Sequence, residues 1–462
     1  MHVNLLRQSN QVNYITYYSG AAHIESKPFR DHASQLPVMR FVSAVSSGAI
    51  FSVSALLTSA HVGPGVVHND NSANRLGSRH YHMGRFMARA RPSNAAQMAK
   101  VSDPAKECLY YGLPESSELS SVYPKDGTIA TIVQGDEQAK QVWQEIQRSG
   151  LIPRGASPKA GTQDHMGLSP NALSQYDTTS DPDCWWSATR CTNPKKKKLS
   201  QDIVTCLEPS TWGLTFDDGP NCSHNAFYDF LKEKKIRASL FYIGLNVKNW
   251  PLQAQRGLAD GHDICVHTWS HHYMTTLSNE QVFAELYYTM RIIKDVVGVT
   301  PQCWRPPFGD VDNRVRAIAD GLGLRTIIWS DDTNDWNIEP SGELPQSKVD
   351  NNYEKIIRKG KNDSGVVVLT HEIRADTMNE FMHMYPKIQQ AYKHVVPLTA
   401  CMNVSHPYVE KNISYRTFAE YTSGNIMAKG LPSLKNMSVN PKSKLQITPL
   451  SKQKSGFLPA SG

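Results

Sequence analysis

Trp212-Gly213-Leu214-Thr215-Phe216-Asp217-Asp218-Gly219-Pro220 is the stretch on which the reading of the fold turns. Its apolar part, Trp212–Phe216, reads as a buried strand that delivers two adjacent carboxylates into a Gly-Pro turn. Carboxylates placed beside a core are costly unless something uses them. Neighbouring side chains on a strand point to opposite faces, yet a turn at this place lets both face one site from different angles. One can then bind a cation while the other stays free as a base.

Outward from this stretch, short apolar runs recur at Ala238–Ile243, Asp263–His267, Leu324–Trp329 and Val366–Thr370. Helical patterns lie between them, the clearest from Val282 to Val297 with Leu286, Met290 and Ile293 on one face. This alternation predicts an α/β fold, a parallel sheet with helices outside, either open or closed into a barrel.

Polar clusters stand at the ends of these runs. His267-Thr268-Trp269-Ser270-His271 follows Ile264–Val266, Arg305-Pro306-Pro307-Phe308-Gly309 follows Cys303-Trp304, Asp332-Thr333-Asn334-Asp335-Trp336 follows Ile327–Trp329, and Leu369-Thr370-His371-Glu372 closes Val366–Val368. With the Asp217-Asp218 turn they make five clusters at the C-terminal ends of successive strands, the face on which barrel enzymes build active sites. Histidines at i and i+4 share one face of a helical turn, a spacing that lets two imidazoles reach one metal. Joined with Asp218, His267 and His271 form a two-histidine, one-carboxylate set that leaves coordination positions open for water and substrate. An iron-dependent oxygenase would use such a set from a β-sandwich with histidine first. Here the aspartate comes first in an α/β pattern, and Asp217, Arg305 and His371 would be idle.

The five clusters, in this order, resemble the motif set of the polysaccharide deacetylases, carbohydrate esterase family 4, over about residues 206–401. The text between them, such as Asn221–Tyr228 and Cys265–His272, is most similar to fungal chitin deacetylases. The resemblance implies a distorted (β/α) barrel and hydrolytic removal of acetyl groups from N-acetylglucosamine units of chitin, giving chitosan and acetate. Deacetylation of peptidoglycan or acetylated xylan, or an inactive chitin-binding relative, stand as the alternatives. It implies a metal triad of Asp218, His267 and His271 for zinc or cobalt, Asp217 as general base oriented by Arg305, and His371 as general acid held by Asp335. It also implies an oxyanion donor in the backbone N–H of Phe308, and an acetyl pocket lined by Trp336 and Leu369. The sugar groove is expected in the loops Asn221–Asp229 and Thr333–Pro340, with stacking on Trp269 and Trp336. Cys206 and Cys401 bracket this domain and are expected to bridge its ends.

The rest of the chain sets the context. It has 462 residues, 40% hydrophobic and 20% charged, with a formal charge of +7. Part of that charge is the run Lys195–Lys198, read as a solvated linker; no aromatic-interleaved basic patch accompanies it, so nucleic-acid binding is not expected. Eight cysteines without a CxxC pair fit disulfides in an oxidising compartment. Met39-Arg40, the small and apolar stretch Phe41–Leu57 and Thr58-Ser59-Ala60 read as a signal peptide over 39–60, with 1–38 an upstream extension outside the native chain. Sequons at Asn221, Asn362, Asn403, Asn412 and Asn436 suit a secretory route, Asn221 being too near the site to carry a glycan. Residues 61–205 read as an irregular propeptide-like or spacer region with one helix candidate, Glu137–Arg148. Within it, Cys184 and Cys191 flank Trp185-Trp186, read as a small disulfide-closed loop or, more weakly, a carbohydrate-stacking site. Residues 402–462 read as a partly disordered tail without a lipid-anchor signal. The expectation is a secreted protein of the extracellular space or cell wall, monomeric and without a membrane span.

Overall fold

The computed structural model describes residues 91–360, 365–443 and 445–447. The signal peptide, the upstream extension, Asn362 and the end of the tail lie outside them. Eight strands form one sheet: β1 (Thr211–Gly219), β2 (Ser239–Tyr242), β3 (Asp263–Val266), β4 (Cys303–Trp304), β5 (Arg325–Thr326), β6 (Asp331–Asp332), β7 (Val366–Leu369) and β8 (His394–Val396). Their order is β5-β4-β3-β2-β1-β7-β6, with β8 paired to the start of β1. Every strand pair is parallel. Helices connect the strands, among them Asn225–Glu233, Asn279–Val297, Asn313–Gly321, Gln346–Lys359 and Ala375–Ala391. The segment from Arg325 to Asp332 begins against β4 and ends against β7, so one stretch of chain spans both edges of the sheet. The result is the distorted barrel the motifs imply.

All nine residues of β1 are buried, which explains why the strands read as unbroken apolar runs: helices cover one face and the barrel interior the other. The alternation is still visible. Phe241, Cys265, Cys303 and Val367 point into a small inner core with Cys206 and Cys401, while Leu240, Ile264, Trp304 and Val368 face the helices. Two disulfides lie in that interior, Cys206–Cys401 and, between the neighbouring strands β3 and β4, Cys265–Cys303. The first joins the expected ends of the domain.

Residues 91–205 hold more structure than their sequence shows. The helix Glu137–Arg148 is present, capped by Asp136, and five shorter helices of four to seven residues accompany it among the described residues. These carry too few turns to show a period. Tertiary contacts define them instead: Leu119, Tyr123, Trp143 and Ile146 join the main hydrophobic core, and Cys108–Cys222 ties the segment to the loop after β1. Cys184–Cys191 closes the small loop as expected. Trp185 is fully buried and Trp186 nearly so, which removes the stacking reading for that pair. No described helix is long and apolar enough to cross a membrane.

Candidate active site

β1 ends in an irregularity between Asp217 and Gly219, where Asp218 adopts a left-handed φ of 71°. That bulge is what turns two consecutive carboxylates toward one side. Asp217 donates its N–H to Thr370 O at 2.9 Å, and its carbonyl accepts from Glu372 N at 3.0 Å, so the ends of β1 and β7 are zipped together and His371 lies beside Asp217.

His267 and His271 do converge, but not on a helical turn. The loop after β3 is irregular, with left-handed φ at Thr268 (65°) and His271 (58°), and these two backbone reversals bring the rings together. Thr268 Oγ1 accepts from His271 N at 3.1 Å. His267 Nδ1 lies 2.8 Å from the carbonyl of Arg305; a carbonyl only accepts, so Nδ1 carries the proton and Nε2 faces the site as a lone pair. Nε2 of His267 and Nε2 of His271 stand 3.3 and 3.1 Å from Asp218 Oδ1.

Arg305, fully buried, donates to Asp217 Oδ1 at 2.7 Å and to Thr215 Oγ1 at 2.9 Å, with its guanidinium over the ring of Phe241. The other carboxylate oxygen, Oδ2, faces His267 Nε2 at 3.9 Å. Asp335 grips His371 twice, accepting from its Nδ1 at 2.7 Å and from its backbone N–H at 2.9 Å. Burial alone would lower the His371 imidazole, but the Asp335 carboxylate, followed by the charges of Asp218 and Asp217, raises it to about 9. Phe308 has a left-handed φ of 58° and lays its ring edge-on to His271 and flat against Tyr273. Leu369 is buried at the end of β7, and Trp336 is half-buried in the loop that carries Asp335. Trp269 is fully buried against Tyr123, so the stacking surface expected of it is absent.

The donor set fits a divalent cation. One ligand atom from each of Asp218, His267 and His271 lies within 4.8 Å of the others, and Asp218 Oδ1 is buried without a hydrogen bond. Burial alone would raise the Asp218 carboxyl; the facing imidazoles hold it well below the usual range, while burial lowers the His271 imidazole. A charged carboxylate and a neutral imidazole are the forms that ligate. Sequence reasoning had no signal for Thr215 as the second partner of Arg305, since its hydroxyl is hidden within an apolar strand.

The family model for polysaccharide deacetylase matches residues 205–327. Chitin deacetylase 2 of Cryptococcus neoformans var. grubii is 46% identical over 380 residues, covering 81% of this chain and 82% of that protein. Chitin deacetylase of Amylomyces rouxii is 44% identical over 340 residues, covering 70% of this chain and 78% of that protein.

Proposed function

Since this chain belongs to the polysaccharide deacetylase family, we propose that its site hydrolyses the acetamide of N-acetylglucosamine units in chitin, giving chitosan and acetate. One observation supports this best: of two adjacent carboxylates, Asp218 faces two imidazoles at 3.1 and 3.3 Å, while Asp217 is bound through Oδ1 by a buried guanidinium and keeps Oδ2 unbound, 3.9 Å from His267 Nε2. Asp218, His267 and His271 would hold zinc, with cobalt as the substitute. Bound there, it would supply Lewis-acid polarisation of the acetyl carbonyl and a lowered pKa for water.

The chain's own groups supply the rest. Arg305 occupies Oδ1 of Asp217, leaving Oδ2 turned to the site to take the proton from the attacking water. The tetrahedral oxyanion receives the backbone N–H of Phe308. His371, protonated and oriented by Asp335, gives its proton to the departing glucosamine nitrogen as the C–N bond breaks. Trp336 and Leu369 line the pocket for the acetyl methyl group. The protein acts as a monomer secreted to the extracellular space or cell wall, consistent with four disulfides and no free cysteine among the described residues. Its catalytic domain spans residues 206–401.

Acetate release from chitin oligomers, peptidoglycan and acetylated xylan, with and without a chelator and added zinc, tests this. Release from chitin oligomers that chelation stops and zinc restores is expected. Faster release from either other polymer would reassign the substrate, and chitin binding without release from any would make the chain an inactive relative.

A further inference from the structure

Glu285 sits in the middle of the helix Asn279–Val297, fully buried, and outside every role assigned above. Its carboxylate is saturated. Oε2 accepts the backbone N–H groups of Trp269 and Ser270, both at 2.8 Å; Oε1 accepts the Ser270 hydroxyl at 2.5 Å and the N–H of Ala130 at 2.8 Å. Trp269 and Ser270 are residues of the five-residue loop whose ends are His267 and His271. The same loop is clamped from the opposite side, where Thr268 O and Trp269 O accept from Gly244 N at 2.9 Å and Leu245 N at 3.1 Å.

Two residues of this loop are left-handed without being glycine, a conformation that persists only where surrounding structure over-determines it. We infer that Glu285 is a positioning residue for the cation site: it fixes the backbone between the two imidazoles and, through Ala130, couples that loop to the segment before the barrel. The inference rests on the reading of Asp218, His267 and His271 as the ligands. Tyr123 adds to the coupling, stacking on the Trp269 indole at 5.5 Å between centroids and 2° between planes. Residues 91–205 are thereby an outer brace of the ligand loop, not a removable spacer. An isosteric amide cannot replace Glu285, because its NH₂ would confront N–H or O–H donors whichever way it turned.

The test is zinc competition between the chelator-stripped full chain and a chromophoric chelator, alongside thermal melting and the visible spectrum of the cobalt form. Glu285→Gln is expected to remain folded and to bind zinc ~10–100-fold more weakly, the range that loss of an outer-sphere partner produces. Its cobalt spectrum should shift, which a merely structural role would not cause. A folded Glu285→Gln chain binding zinc within twofold of the parent, with an unchanged spectrum, overturns the inference. Should that variant not fold, Ser270→Ala, which removes one of the four bonds, decides by the same criterion. A parent chain that binds no zinc, or a His267→Ala chain that binds it equally well, would instead overturn the ligand assignment.

Discussion

The substitution Asp335→Asn removes the charge that keeps His371 an acid. In the structure, the carboxylate contacts both Nδ1 and the backbone N–H of His371, and the imidazole reaches about 9 although burial opposes it. Against the ordinary histidine value near 6.5, that displacement corresponds to roughly 3 kcal/mol favouring the protonated ring. The sign follows: a raised histidine is an acid below its folded pKa, so the active form is present at neutral pH and lost as pH rises through about 9. Part of the displacement comes from Asp218 and Asp217, and a bound cation offsets that part, so the alkaline limb of kcat in the zinc form falls at or below this value. Once a neutral amide stands in place of the carboxylate, burial acts with less opposition and the limb moves toward 6.5 or lower. At pH 8 the protonated fraction then drops from about nine-tenths to about three-hundredths, a loss of ~30-fold. The assay is acetate release from chitin oligomers between pH 5 and 10, with zinc saturating. An alkaline limb at the same pH in parent and variant would refute the reasoning, because it would mean that the group lost at high pH is not held by Asp335. The same pair contributes stability present below about 6.5 and lost as pH rises through about 9, which denaturant titration across that window checks.

Asp217→Asn should retain zinc while losing ~10²–10⁴-fold in turnover, measured by metal analysis beside kcat; a metal-free variant would contradict the split between the two aspartates. The double replacement Cys265→Ala, Cys303→Ala opens a loop of sequence separation 38 and should lower unfolding free energy by about 4 kcal/mol on the chain-entropy estimate, read from urea titration. It should also weaken zinc binding, since the bridged strands lead directly into His267 and Arg305, whose ring nitrogen and carbonyl are bonded. Gly219→Ala drives a methyl group into the Glu372 carboxylate beneath the Asp217-Asp218 turn, so that chain should be insoluble or zinc-free; wild-type zinc affinity would show the turn to be more yielding than its packing implies.

The elements legible in the sequence are those whose burial writes itself into composition. β1, β2, β3 and β7 are buried along their whole length and read as apolar runs; Asn279–Val297 declares itself by period and opens with a capping box. β4, β5 and β6 have two residues each, too few for any pattern, and only the polar clusters near them reveal where they end. The four-residue helices before the barrel are invisible for a related reason. Pro104–Glu107, for example, is placed by the Cys108–Cys222 bridge and by Glu107, which accepts the N–H of Asn225 in another part of the chain.

For the site, residue types and order carry further than local geometry. The spacing of His267 and His271 argues for a helical turn that does not form; left-handed backbone at Thr268 and His271 brings the two rings together instead, and nothing in the sequence encodes such angles for non-glycine residues. Glu285 is a different kind of omission, because its signal was present. It lies beside Leu286 and one turn after Val282, so the apolar stripe that identified the helix carries a carboxylate into the core. A charge on a buried stripe has to be compensated, and the nearest uncompensated donors belong to a loop that cannot satisfy its own N–H groups. The same periodicity that predicts a helix therefore also singles out the residue that breaks the period as the one holding something in place.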